Sequence, residues 1–191
     1  MIDRLGDLGD LGDSNCKVGV NVSPLQLLSD DLFAALDVAS KDGRPVAQLC
    51  LEMTEQHMID DSEETLHALD RLIALGVDLA VDDFGTGYSS LGSLHRMPAR
   101  TLKIDRHLIE FVDTPPGASV VAAVVGVAKA YGMSTVAEGV EYPWQARALA
   151  ELGVDDLQGY LFARPEPADK ILARLGQPWP WDVTGADLAA D

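Results

Sequence analysis

The sequence predicts an α/β protein built on a parallel sheet, and three observations carry that prediction. Six short apolar runs of strand character alternate with segments whose apolar residues recur at helical spacing. Each run ends on a polar residue that a buried strand would not choose for packing: Asn21, Glu52, the Asp82–Asp83 pair, Lys103, Glu138 and Gln158. A length of 191 residues, 47% of them hydrophobic, suits one globular domain with a sizeable core.

The strands are expected over Lys17–Ser23, Ala47–Thr54, Val77–Phe84, Thr101–Asp105, Ser134–Glu141 and Asp156–Phe162. Helices are expected over Pro24–Ala39, Ser62–Leu75, Gly117–Tyr131 and Pro143–Leu152. Ser23-Pro24 reads as a cap followed by proline at the first helical position, and Glu63 and Glu64 after Ser62 sit where the helix dipole favours acids. Gly76, Gly132 and Gly153 each follow a helix, as helix-ending glycines do. Residues 1–16 carry a Gly-Asp-Leu repeat and read as a flexible leader, since their Asp spacing lacks the ligand pattern and closing Glu of a calcium loop. The sheet-forming body is then expected over 17–175, and residues 176–191, with Trp179 and Trp181, read as a loose tail.

Composition excludes several classes of partner. A net charge of −17, from 31 acids against 14 Lys plus Arg, repels nucleic acid polymers and anionic membranes. A small anion remains possible where divalent cations mediate its binding. The longest apolar-rich run, Val120 to Ala130, is broken by Gly126 and Lys129 and falls short of the ~20 residues of a membrane span. The first seven residues have neither the basic start nor the apolar core of a signal peptide. Cys16 and Cys50 lack metal-type spacing and read as reduced thiols, so a cytoplasmic setting is expected.

The chemistry gathers at the strand ends. Parallel strands put all their C-terminal ends on one face, where α/β barrels and open sheets carry their sites. At the centre is Val77-Asp78-Leu79-Ala80-Val81-Asp82-Asp83-Phe84-Gly85-Thr86-Gly87, an apolar strand ending on two acids and a glycine-rich turn. Strand residues alternate sides, so Asp82 and Asp83 point apart unless the strand bends there. Two adjacent carboxylates cost electrostatic energy that a bound cation relieves. Taken singly, each polar strand end also has a plain reading as a helix cap, a turn or a solvated charge. Together, carboxylates with an Asn amide are hard oxygen ligands suited to Mg²⁺ or Mn²⁺, and a Lys among them holds an anion or manages a water proton. A one- or two-cation centre acting on a phosphoryl or carboxyl substrate follows. His57, His67, His95 and His107 share no ligand spacing and stay outside this set.

At these residues the sequence resembles the EAL-domain family, phosphodiesterases that open cyclic di-GMP to linear pGpG. The resemblance rests on Val20-Asn21-Val22-Ser23, Leu51-Glu52-Met53-Thr54-Glu55, Val81–Leu91, Leu102-Lys103-Ile104-Asp105-Arg106, Val136–Glu141 and Gln158–Phe162, in matching order. It implies that Asn21, Glu52 and Asp82 hold a first Mg²⁺ or Mn²⁺ and that Asp82 and Asp83 share a second. Lys103 would position the attacking water or the phosphate, and Glu138 would act on the water or support the second cation. Gln158 would contact water or phosphate, and Glu55 would anchor the loop that begins at Asp83.

The sequence also departs from the family. No Glu-Ala-Leu tripeptide occurs in it, although that motif supplies a metal-ligand Glu. Six strands are visible where a (β/α)₈ barrel needs eight, so the expected fold is an incomplete TIM-like barrel, N-terminally truncated. An open sheet edge invites pairing with another chain, which makes a homodimer one expectation. Weak or absent hydrolysis is another, since loss of one ligand misplaces the reacting water. Two alternatives stand beside the phosphodiesterase: a non-catalytic cyclic di-GMP receptor or interaction module, and a barrel using Lys103 as the base for proton abstraction beside a carboxylate.

Overall fold

The computed structural model describes residues 17–43, 46–54, 62–86, 94–95 and 97–174. The expected leader 1–16 and tail 176–191 lie outside the described residues, as do Cys16, Glu55 and His57. Among the described residues there are six strands: β1 (Val18–Asn21), β2 (Leu49–Thr54), β3 (Asp78–Phe84), β4 (Thr101–Ile104), β5 (Ser134–Ala137) and β6 (Asp156–Leu157). They follow one another in the sheet in sequence order, and β1–β2, β4–β5 and β5–β6 pair in parallel. The α-helices described with them are α1 (Pro24–Leu27), α2 (Asp30–Lys41), α3 (Glu63–Ala74), α4 (Arg106–Ile109), α5 (Pro115–Ala130), α6 (Pro143–Glu151) and α7 (Ala168–Arg174). The fold class is therefore the expected one, α/β of the TIM-like barrel type with six strands.

Each strand lies within its expected stretch and is shorter than it: β1, β4, β5 and β6 give up residues at their polar C-terminal ends, while β2 and β3 lose only their first residues, in β2 to a 3-10 turn over Val46–Gln48. One expected helix is two. The apolar periodicity of Pro24–Ala39 runs through Leu28 and Ser29, yet the helix breaks there. The Ser29 side chain accepts from the Asp31 amide and so caps a new helix, with Asp30 and Asp31 favourably placed in its first turn. Helix α5 begins earlier than its apolar pattern does. Thr114 caps it by accepting from the Gly117 amide, and Pro115 and Pro116 take first-turn positions where a missing N–H costs nothing.

The chain divides into two compact units, one of Met1–Val81 with Ser90–Ala99, the other of Asp82–Ser89 with Arg100–Asp191. In the first unit β1 and β2 run in register, Asn21 opposite Glu52, and a core of Phe33, Leu36, Leu49, Leu69, Leu72 and Leu79 is sealed from solvent. Lys17 reaches both the Ala47 carbonyl (2.7 Å) and the Asp78 carboxylate (2.7 Å), and the Arg71 guanidinium lies 3.8 Å from the Phe33 ring centroid. Cys50, on β2, is buried.

The second unit packs Leu102, Ile104, Ile109, Val121, Val125, Val140 and Leu149. A lock between residues 20 apart holds the start of β5. The Asp155 Oδ2 accepts from the Thr135 amide and from the Thr135 hydroxyl, both at 2.8 Å, and the Asp155 amide donates back to Thr135 Oγ1 at 3.1 Å. The Thr135 amide bond is the main reason that the Asp155 carboxyl is held below the usual carboxylate range; partial burial opposes it and the hydroxyl bond adds to it. A carboxyl held low in the fold stabilises above its unfolded-state pKa, and the gain is lost as pH falls through the folded value. The Asp155→Asn variant is therefore expected to unfold more easily than the wild type at neutral pH. That difference should shrink below pH of about 4, where an unfolded Asp protonates. Urea unfolding across pH measures it, and a difference that is constant with pH contradicts this account.

Candidate metal centre and strand-end site

The described site builds up from the second unit. Strand β3 is buried almost throughout, as a strand covered on both faces must be, until it reaches its acids. There Asp83 takes φ 54°, a left-handed angle that is uncommon outside glycine. That angle interrupts the two-residue alternation of the strand, which is the bend required for two successive carboxylates to share a side. Oxygens of Asp82, Asp83 and Glu138 lie within 4.8 Å of one another. Gly85 follows at φ 106°, where a side chain would also strike Leu108, so the turn after the acids is closed to larger residues.

Lys103, inward-facing on β4 and 6% exposed, sits between two of these acids. Its ammonium is 2.8 Å from Asp82 Oδ1 and 2.7 Å from Glu138 Oε1. The Asp82 contact is a charge contact without hydrogen-bond alignment, since that buried oxygen receives no directed hydrogen bond. Three carboxylates facing one ammonium leave the cluster net negative at neutral pH. The strain shows on Asp83, whose carboxyl is raised above its ordinary value by burial first, then by the charges of Asp82 and Asp105, with Lys103 acting the other way.

Glu138 comes directly after β5, and its amide donates to the Ile104 carbonyl at 3.0 Å. The backbone then turns through Gly139 at φ 69°, where a side chain would meet the Arg106 Cβ. Gln158 directly follows β6. Its backbone is tied on both sides: its amide donates to the Ala137 carbonyl at 2.8 Å, and its carbonyl accepts from the Val140 amide at 3.0 Å. In the first unit Asn21 closes β1 opposite Glu52 on β2. Glu55 lies outside the described residues. Of the histidines, His107 pairs with Asp105, and His67 lies within α3.

Asp105 is the residue that sequence reasoning passed over. It caps α4 by accepting from the His107 amide at 2.8 Å, and its charge is felt at Asp83. The signal was present: an Asp directly after a strand and before a short helical run is an N-cap pattern.

The donor set fits a hard divalent cation. Three carboxylates converge, one buried oxygen lacks a directed hydrogen bond, and the surplus negative charge is of the kind a cation relieves.

Comparison with known proteins gives this geometry its context. The family model described as the EAL domain matches residues 1–165. The chain is 39% identical over 168 residues to the bifunctional diguanylate cyclase/cyclic di-GMP phosphodiesterase MucR of Pseudomonas aeruginosa, covering 87% of this chain and 24% of that protein. The solved PaMucR phosphodiesterase in complex with c-di-GMP superposes with a TM-score of 0.80 at 36% identity, over 89% of this chain and 70% of that one. A manganese/cy-diGMP complex of Klebsiella pneumoniae BlrP1 gives a TM-score of 0.75 at 29% identity, over 86% of this chain and 44% of that one. The chain thus spans about a quarter of the length of MucR. By the extent of the family match and the order of its strand-end residues, this chain belongs to the EAL domain family.

Proposed function

We propose that this chain is an EAL-type phosphodiesterase module that takes cyclic di-GMP and opens it to linear pGpG with Mg²⁺ or Mn²⁺. The observation that carries the reading is the convergence of Asp82, Asp83 and Glu138 around a buried Lys103 in a chain of this family. In this reading Asn21 and Glu52, opposite one another on β1 and β2, are cation ligands, and so are Asp82 and Asp83. A bound cation supplies charge neutralisation of the phosphodiester and a water of lowered pKa. In this reading Lys103 holds the phosphate or the water beside the Asp82 and Glu138 carboxylates, and Glu138 acts on the water or supports the second cation. Gln158 contributes a neutral amide at the same strand ends, and Glu55 is assigned the anchoring of the loop after Asp83.

With no Glu-Ala-Leu motif to supply a further ligand, turnover by this chain alone is expected to be slow. A cytoplasmic setting, and pairing of the outermost strand β1 with a second copy, belong to the same proposal. Among the described residues no helix is long and apolar enough to cross a membrane.

The test is chromatography of cyclic di-GMP incubated with the purified chain and Mn²⁺. The expected result is slow pGpG formation that chelation stops and that Asp82→Asn lowers by about 100-fold or more, since a small displacement of the reacting groups costs that much. A folded chain that binds intact cyclic di-GMP and yields no pGpG is a receptor instead. A chain that neither binds nor cleaves it overturns the proposal.

A further inference from the structure

Outside the second unit, one contact stands out. A Cβ built on Gly19 would lie 2.1 Å from Glu52 Oε1, 2.8 Å from its Cδ and 3.4 Å from Oε2. The Glu52 carboxylate therefore fills the space where residue 19 would carry its side chain. The register makes this an unexpected place for it. Asn21, not Gly19, lies opposite Glu52 in the β1–β2 ladder, and Gly19 lies opposite Cys50. Residues 19, 21 and 52 share a face of the sheet, because alternate strand residues do and ladder partners do. Leaning onto Gly19 carries the carboxylate back along β1 by two residues, roughly 6–7 Å, from the strand end where Asn21 sits.

We propose that Gly19 is a positioning residue that gives Glu52 a resting place, so that cation binding draws the carboxylate forward from Gly19 to the Asn21 end of the ladder. This rests on the reading of Asn21 and Glu52 as cation ligands. Only glycine leaves the resting place open, since any Cβ would overlap the carboxylate. The overlapping atoms are the far end of a flexible side chain, so the Gly19→Ala variant keeps its fold by moving Glu52 rather than the backbone. It thereby removes the withdrawn state. When a binding-competent arrangement is only partly populated, apparent affinity is reduced by that fraction.

Calorimetric titration of the metal-free chain with Mn²⁺ tests this, without any turnover measurement. For Gly19→Ala the Mn²⁺ dissociation constant is expected to fall about 3- to 10-fold, as a withdrawn majority state is abolished. In a Glu52→Gln background, where affinity is already weakened, adding Gly19→Ala should change nothing further. A merely structural role for Gly19 would act equally in both backgrounds. An unchanged or weakened affinity for Gly19→Ala, with Glu52→Gln clearly weaker than wild type, overturns the resting-place inference and leaves the ligand reading standing. If Glu52→Gln binds Mn²⁺ as the wild type does, the ligand reading of Glu52 fails, and the inference fails with it.

Discussion

Lys103→Met is expected to destabilise the metal-free protein by about 3–5 kcal/mol, the usual cost of removing one partner from a buried charge pair. The lysine is 6% exposed and its ammonium is within 2.8 Å of two carboxylates, on β3 and directly after β5. Methionine fills the same volume, so little of the loss comes from packing. The loss comes from Asp82 and Glu138, which would face each other and Asp83 with no positive charge between them. Part of the cost is escaped if one of these acids takes a proton, so the destabilisation should be largest near neutral pH and smaller in acid. A divalent cation supplies the missing positive charge. Millimolar Mn²⁺ should therefore recover more stability in the variant than it adds to the wild type. Guanidinium unfolding with chelator and with Mn²⁺ measures both parts. Equal Mn²⁺ stabilisation of the two proteins would show that the cation does not bind at this cluster.

The strand-end residues were legible in the sequence because apolar strands in a parallel sheet leave polar residues few reasons to be present. Lys103 within Leu102–Ile104 and Glu138 after Val136-Ala137 stand out against that background, and the structure brings both to the same acid, Asp82, or to its neighbour cluster. The bend between Asp82 and Asp83 was not legible. It depends on a left-handed angle at a non-glycine residue, for which a sequence carries only a weak local signal. Gly85 hints at a turn there, but the left-handed angle comes two residues before it.

The break at Ser29 was hidden for the opposite reason. Leu25, Leu28, Leu32 and Leu36 continue the helical spacing across it, so the apolar pattern outweighed a good capping residue. The Thr135–Asp155 lock was beyond reach, because nothing local to either residue names a partner 20 positions away. The ends of β2 and β3 fall where the sequence puts them, but β5 is shorter than expected by four residues and β6 by five, since Glu138–Glu141 and Gln158–Phe162 read as strand continuations. They are the turns that carry the site, and the backbone bonds that stitch them together are not written in side-chain pattern.

Those stitches make Gly159→Ala the second large expected effect. A Cβ at Gly159 would lie 2.1 Å from the Val140 carbonyl oxygen, 2.3 Å from its amide nitrogen and 2.7 Å from its carbonyl carbon. These are backbone atoms that cannot swing aside, in contrast to the carboxylate beside Gly19. Val140 is held against this point from both directions, its amide donating to the Gln158 carbonyl and its carbonyl accepting from the Leu161 amide, each at 3.0 Å. A methyl group must part the two loops and lengthen or break both bonds. At about 1 kcal/mol per bond, with about 1–3 kcal/mol for overpacking, the loss should be roughly 2–5 kcal/mol. The displaced loops begin at Glu138 and Gln158, so turnover should fall by about 100-fold even under conditions where the variant is fully folded. Gly126→Ala supplies the matched control. Nothing lies within 4 Å of its added Cβ inside α5, so the same chemical change should stabilise by about 0.5–1 kcal/mol through helix propensity. Thermal unfolding of the two variants should thus move in opposite directions from the wild type. Equal shifts, or a harmless Gly159→Ala, would mean that the contact between the β5 and β6 turns is looser than the structure has it and that the position of Glu138 does not depend on it.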